Sequence, residues 1–155
     1  MEALFAWLQA TAVATTVRDS LLLTGTLSAV HLLGFTLVTG GAFVSNLRLL
    51  GVLLTERSVL DVARPAGRGI AIGLVISIAT GLLLFAPRAI EASINRIFQI
   101  KMLFLASAAA FHFTVHRAAS RRPSASRGAL RTVGATGFLL WAGVALAGCA
   151  YILLE

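Results

Sequence analysis

The sequence predicts an all-α integral membrane protein, a four-helix up-down bundle preceded by a short N-terminal interfacial helix. Of its 155 residues, 58% are hydrophobic and 12% are charged, and the mean hydropathy is +0.91. Soluble domains carry roughly a quarter charged residues, whereas apolar runs of about 20 residues are long enough to cross a bilayer as helices. Four such runs predict spans at about 20–44, 67–86, 98–117 and 132–154. Residues 1–155 are therefore predicted to form a single membrane domain.

Positive charge is concentrated in two of the connections between the spans. Nine of the 13 basic residues follow the first or the third span: Arg48, Arg57, Arg64, Arg68, Arg117, Arg121, Arg122, Arg127 and Arg131. The positive-inside rule places both connections in the cytoplasm and both termini in the periplasm of a bacterial inner membrane. We interpret the net charge of +7 as membrane topology rather than as a nucleic-acid-binding surface.

The segments outside the spans carry recognisable boundary signals. Trp7, among apolar and threonine residues before the first span, predicts a short helix on the outer membrane surface. The Arg64-Pro65 pair predicts a helix break before the second span, and Pro87 predicts the end of that span.

The first two spans have faces suited to close packing. Gly69, Gly73, Ser77 and Gly81 recur every four residues in the second span, as in the small-residue strips of membrane helix interfaces. In the first span, helical periodicity places His31 on the same face as several small residues. These are Thr24, Ser28, Gly34, Val38, Gly41 and Ser45. That face is expected to point into the bundle.

Histidines within the spans are the candidate functional residues. A polar side chain in hydrocarbon is costly, so it normally faces the bundle interior and has a partner. His31 and His112 belong to spans that are diagonal in an up-down bundle, and counting from the span ends gives depths that differ by roughly 5 Å. This arrangement predicts one b-type haem with His31 and His112 as axial ligands. Lys101 and Arg96, near the outer interface, are candidates to contact the haem propionates.

Two other interpretations of the histidines stay open. His112 and His116, one turn apart, could join His31 in a copper or zinc site, since imidazole suits both metals. This is the second choice because His116 lies near the cytoplasmic end of its span. Alternatively, the histidines form structural hydrogen bonds across helix interfaces.

A family of small, uncharacterised bacterial four-helix membrane proteins resembles this chain in three stretches. They are AVHLLGFTLVTGGAFVSNLRLLG (29–51), ATGLLLFAPRAI (79–90) and NRIFQIKMLFLASAAAFHF (95–113). The resemblance rests on His31, Gly34, Arg48, Leu49, Gly81, Asn95, Phe98, Lys101 and His112. More distantly, HLLG followed by a glycine pair is similar to copper-resistance-protein-D-like membrane proteins, which resemble membrane b-type cytochrome bundles. The resemblance implies the four-helix fold and points to haem or copper as the cofactor.

The leading functional hypothesis is a haem b electron-transfer subunit. It would pass electrons between quinone, or a partner membrane subunit, and a redox protein at the periplasmic face. A cofactor-free assembly subunit of a larger membrane complex and a copper-handling protein are the alternatives. The sequence has no HExxH, nucleophile elbow or phosphate-binding loop, and its acidic residues lie outside the span centres. An accessory role in an oxidoreductase is therefore favoured over independent catalysis.

Overall fold

A computed structural model describes residues 2–122 and 125–153 of the chain, and its elements there are all helical. The α-helices are α1 (Glu2–Gln9), α2 (Ala12–Asp19), α3 (Leu21–Leu50), α4 (Val59–Phe85), α5 (Ala89–Ile94), α6 (Arg96–Phe111), α7 (Arg117–Ser120) and α8 (Arg127–Leu153). A 3-10 turn (Ala86–Arg88) joins α4 to α5. A π-helical segment (His112–His116), called the π segment below, joins α6 to α7.

Four helical segments are long and apolar enough to cross a membrane. They are Leu21–Leu50, Val59–Ile94, Arg96–Ser120 and Arg127–Leu153. This confirms the predicted fold class, an all-α bundle with four candidate membrane spans. The predicted fourth span ends at residue 154, which lies outside the described residues.

The four long helices are packed so that α3 and α6 are diagonal. Helix α3 packs extensively against α4 and also against α8, which in turn packs against α6. Direct contact between α4 and α6 is sparse. The rings of Phe85 and Phe98 stack at 5.4 Å where α4 ends and α6 begins. The backbones of α4 and α6 are therefore farther apart than those of the other neighbouring pairs of long helices.

The α3–α4 interface is built on glycines. A Cβ added at Gly73 would lie 2.5 Å from the Gly34 carbonyl oxygen and 2.9 Å from the Val38 nitrogen, so the two backbones are in close contact. Farther along, a Cβ at Gly41 would lie 3.0 Å from the Ala66 carbonyl oxygen. Small residues permit this approach, which is a common way for membrane helices to associate. These contacts fix the register of α3 against α4.

An apolar layer occupies the middle of the bundle. It consists of Val38, Ala42, Ile70, Leu74, Ala108, Trp141 and Val144. Polar side chains that are buried or half-buried lie on either side of it. We call the side near α1, α2 and α5 the N-terminal end. The opposite side, near the α3–α4 connection and α7, is the arginine-rich end.

Two short helices precede α3, where the sequence predicted one interfacial helix. The chain turns after Gln9, and the Thr11 side chain caps α2 by accepting a hydrogen bond from the Ala14 amide. Gln9 Nε2 donates to the Pro87 carbonyl and to the Glu91 carboxylate, holding α1 against the 3-10 turn and α5. Trp7 is 65% exposed, consistent with a position at the interface.

The predicted helix break at Arg64-Pro65 is wrong. Helix α3 ends at Leu50, and Gly51 follows it in a left-handed conformation with φ 78°. Helix α4 already begins at Val59, where the Ser58 side chain accepts a hydrogen bond from the Asp61 amide. Pro65 removes one backbone hydrogen bond near the helix start, and the helix continues through it.

Candidate functional site

His31 lies toward the N-terminal end of the bundle and faces α4. Its Nδ1 is 3.0 Å from Thr80 Oγ1, and a Cβ added at Gly81 would lie 3.1 Å from its Cε1. The Thr80 hydroxyl donates its proton to the Ile76 carbonyl oxygen at 2.7 Å. A hydroxyl has one proton to donate, so we assign His31 as the donor to Thr80, through Nδ1–H.

His112 and His116 are the first and last residues of the π segment, at the other side of the apolar layer. Both are buried, and their rings stack with centroids 4.7 Å apart. His116 Nε2 is 3.1 Å from Ser45 Oγ on α3. His112 Nδ1 is buried and has no hydrogen-bond partner within residues 2–122 and 125–153. Segments of π-helix are rare and are often found at functional sites.

The structure does not bring His31 and His112 together. A Cβ at Gly81 would lie 3.1 Å from His31 Cε1, and one at Gly67 would lie 3.8 Å from His112 Nε2. Gly67 and Gly81 both belong to α4, and the 14 residues between them span about 21 Å. The two imidazole atoms are therefore at least about 14 Å apart. Because histidine nitrogens bind metals at about 2 Å, this pair does not fit as the two axial ligands of one haem.

The prediction that His31 and His112 lie at similar depths is wrong because the start of α3 and the end of α4 do not lie at the same level. Helix α3 begins ten residues before His31, whereas α4 ends only four residues beyond Gly81, the His31 contact. The first turns of α3 therefore project beyond the end of α4, and Leu21 is 90% exposed there. Counting residues from each span start placed His31 too deep in the bundle.

Lys101 and Arg96 lie at the His31 end rather than beside His112. Lys101 is the sixth residue of α6, eleven residues before His112, and its Nζ lies 5.8 Å from the centre of the Tyr151 ring. Arg96 is exposed at the first position of α6. They were predicted to contact the propionates of a haem held between His31 and His112, and because that pair does not fit as the ligands of one haem, the predicted contact loses its basis.

The three histidines do not converge on one metal site. Ser45, the partner of His116, lies 14 residues beyond His31 on α3, which is about 21 Å along the helix. In the described part of the chain, no group of three or more histidine, cysteine, aspartate or glutamate side chains is placed to hold a metal ion. The copper or zinc site predicted from all three histidines does not fit this arrangement.

A cavity of about 390 Å³ opens beside the two buried histidines. It lies between the first turns of α4 and the π segment with α7. Its polar lining consists of Arg64, Arg68, His112, His116, Arg117, Ser120 and Arg121. Its remaining lining consists of Leu60, Ala63, Gly67, Ala71 and Phe113. We call it the arginine–histidine pocket.

The charged side chains that line the arginine–histidine pocket are all positive. The four guanidinium groups are carried on exposed residues at its rim, and the described residues that line it include no carboxylate. Guanidinium groups donate paired hydrogen bonds that match carboxylate and phosphate oxygens. The pocket is therefore suited to an anionic group at its rim and an apolar group at its inner wall.

The pocket was missed at the level of sequence because its arginines were interpreted as topology. Arg64 and Arg68 are four residues apart, as are Arg117 and Arg121, so each pair lies on one helical face. That spacing was a usable signal, but the predicted break at Pro65 separated Arg64 from the second span. The Ser45 contact of His116 and the Thr80 contact of His31 were also not predicted.

Comparison with known proteins supplies a family but no activity. No curated protein and no solved structure matches this chain significantly. The sequence profile of DUF6644, a family of unknown function, matches residues 6–153. That match agrees with the predicted resemblance to an uncharacterised family, while the more distant similarity to copper-resistance and cytochrome proteins stays a prediction. Because the match covers nearly the whole chain, the protein belongs to the DUF6644 family.

Proposed function

We propose that this membrane protein binds a phosphate-bearing amphiphile in the arginine–histidine pocket. The observation that carries the proposal is the lining of that pocket, in which four arginines and two buried histidines surround one cavity. Basic pockets between membrane helices on the cytoplasmic side are typical binding sites for anionic lipid headgroups. The positive-inside rule favours this orientation, with the arginine-rich end in the cytoplasm and the bundle in a bacterial inner membrane.

Two pairs of arginines favour a ligand with more than one negative charge. Arg64 and Arg68 project from α4, whereas Arg117 and Arg121 project from α7 and the residue after it. A headgroup between them would be approached by guanidinium groups from two helices. Each charge-assisted hydrogen bond of this kind contributes about 1.5–3 kcal/mol. A headgroup with two separate phosphates, as in cardiolipin, would use both pairs.

The inner wall of the pocket supplies the apolar and neutral polar contacts. Phe113 and Ala71 line it on the side of the membrane interior, where the acyl chains of the ligand would lie. His116 is held by Ser45, and His112 stacks on His116. The histidine pair thus forms a fixed wall below the headgroup.

The proposal is tested by comparing how the protein and its arginine variants bind lipids. The purified protein in detergent would be titrated with cardiolipin and with phosphatidylcholine, and bound lipid would be counted by native mass spectrometry. We expect cardiolipin to be retained, and Arg64→Gln or Arg121→Gln to weaken it by about tenfold or more.

Arg57→Gln is the matched control, since Arg57 lies at the same end of the bundle outside the pocket lining. The proposal predicts no effect of this change. Equal loss in Arg57→Gln and Arg64→Gln would show a diffuse charge effect and would refute the pocket.

A haem-binding electron-transfer function is the second candidate, favoured by one observation. Nε2 of His112 faces Gly67 of α4, 3.8 Å from the position of an added Cβ, both residues line the arginine–histidine pocket, and histidine is a common haem ligand. Since His31 is too distant, His112 would be the single protein ligand, and the anionic propionates would meet the pocket arginines.

Absorption spectra separate the second candidate from the first. A haem signal in the purified protein that disappears in His112→Ala and persists in His31→Ala would support this ligation. A sample expressed with ample haem and showing no such signal would exclude it. The predicted roles of quinone and of redox partner subunits at the periplasmic face remain part of this second candidate.

A further inference from the structure

We infer that His112 makes the arginine–histidine pocket selective for ester-linked glycerophospholipids, by donating a hydrogen bond from Nε2 to an ester carbonyl of the bound lipid. The pocket is that of the proposed function, on which this inference rests, and His112 decides which class of amphiphile it takes. Diacyl lipids are favoured over amphiphiles that carry their phosphate on ether-linked or hydrocarbon chains.

His112 is the uncharged polar side chain of the pocket lining that is left to meet a ligand. The lining includes three such side chains, those of His112, His116 and Ser120. The Ser120 hydroxyl donates to the His116 carbonyl oxygen at 2.8 Å, and His116 Nε2 lies 3.1 Å from Ser45 Oγ. Nε2 of His112 faces Gly67, which has no side chain to occupy the space in front of it.

The depth of His112 places it between the charged rim and the apolar interior. On α4, Gly67 lies three residues, about 4.5 Å, deeper than Arg64, and Ala71 lies about 6 Å deeper still. Because Cα–Cβ bonds tilt toward the start of a helix, the arginine side chains of α4 lean toward the arginine-rich end. On the facing side of the pocket, Arg117 follows His112 by five residues toward the same end. His112 is therefore just inside the level of the guanidinium groups.

A glycerophospholipid in this orientation presents its polar groups in a fixed order. Its phosphates meet the arginines at the rim, and its acyl chains follow the apolar inner wall. The ester carbonyls lie between them on the glycerol, at the level of His112. An ether-linked lipid has no carbonyl there, so it lacks the acceptor that Nε2–H of His112 would use.

The enclosed Nδ1 of His112 determines which tautomer the bound lipid favours. A neutral imidazole carries one proton, on either nitrogen. His112 is only 5% exposed, and a proton on its Nδ1 would have no acceptor within residues 2–122 and 125–153. A buried donor without a partner is costly, whereas a proton on Nε2 can be donated to the lipid carbonyl. Binding of a diacyl lipid and protonation of Nε2 therefore favour each other.

The choice of the wild-type protein between two lipids tests the inference. Cardiolipin and its ether analogue, with alkyl chains in place of all acyl chains, carry the same phosphates. Both dissociation constants would be measured by native mass spectrometry of the full-length protein in detergent. We expect cardiolipin to bind about three- to tenfold more tightly, and His112→Phe to bind the two lipids equally. With cardiolipin bound in nanodiscs, ¹⁵N-histidine NMR should show His112 protonated at Nε2.

Two glycine variants test the same contact with His112 in place. A Cβ at Gly67 would lie 3.8 Å from His112 Nε2, whereas a Cβ at Gly69 would have no atom within 4 Å. Gly67→Leu should fill the space in front of Nε2 and remove the preference for the ester lipid. Gly69→Leu is the matched control on the same helix and should keep that preference. This pair decides the question if His112→Phe does not fold.

The possible failures are distinguishable. Equal binding of the two lipids by the wild-type protein would overturn the inference, as would a preference that survives in Gly67→Leu. If Arg64→Gln still weakens both lipids, the pocket stands and only the role of His112 is refuted. If Arg64→Gln weakens neither lipid, the proposed function fails and this inference fails with it.

Discussion

Adding one methyl group at Gly73 should separate α3 from α4. A Cβ there would meet the Gly34 carbonyl oxygen at 2.5 Å and the Val38 nitrogen at 2.9 Å. Both atoms belong to the backbone of α3, so no side-chain rotation relieves the overlap. Overpacking of this kind costs about 1–3 kcal/mol.

Gly69→Ala is the matched control, four residues earlier in the same helix. A Cβ at Gly69 would have no atom within 4 Å outside its local backbone. Both substitutions gain the same helix propensity, about 1 kcal/mol, so that gain cancels in their comparison. The free energy of unfolding of Gly73→Ala should be lower than that of Gly69→Ala by about 1–3 kcal/mol.

Reversible unfolding by SDS in mixed micelles, followed by circular dichroism, measures this difference. Equal free energies of unfolding for the two variants would refute the α3–α4 register. The distance between His31 and His112 also depends on that register, since both residues were located through their contacts with α4.

Three further variants test local features of the fold and of the site. Gly51→Ala should lower the free energy of unfolding by about 1–2 kcal/mol, because Gly51 has φ 78°. Gly40→Ala is the control and should not lower it, because an added Cβ there would have no atom within 4 Å. Asn95→Ala should lower the free energy of unfolding by about 1 kcal/mol, since the Asn95 side chain accepts hydrogen bonds from the Ile97 and Phe98 amides. Asn95→Asp should retain this cap, and an Asp variant as unstable as the Ala variant would contradict the role of Asn95. Ser45→Ala should cost about 0.6–1.7 kcal/mol through loss of the His116 contact, and an unchanged ¹⁵N spectrum of His116 in that variant would contradict the contact.

The fold class could be predicted from the sequence because it depends on long apolar runs. Lipid imposes a length and a composition on each span, and these properties are visible without tertiary contacts. The glycine strip of α4 was also informative, although Gly69 makes none of the close contacts that Gly73 makes. Periodicity identifies a face of a helix but not how far along that face the partner helix sits.

The site could be predicted only in part, because it depends on register. The sequence correctly assigned His31 and His112 to diagonal helices, yet their depths depend on where α3 projects beyond α4. The π segment changes the helical spacing at the two buried histidines, and nothing in HFTVH predicted it. The helix start at Val59, which brings Arg64 and Arg68 to the pocket, depended on the Ser58 cap rather than on hydropathy.

Cross-linking of cysteine pairs in native membranes tests most directly the claim that the histidines belong to two separate centres. With Cys149 replaced by alanine, a short thiol cross-linker should join the pair His31→Cys with Thr80→Cys, and the pair Ser45→Cys with His116→Cys, because both pairs are in contact. The pair His31→Cys with His112→Cys should give no cross-link, since Cε1 of His31 and Nε2 of His112 are at least about 14 Å apart. Efficient cross-linking of that last pair would contradict the account and would restore the possibility of a haem held between His31 and His112.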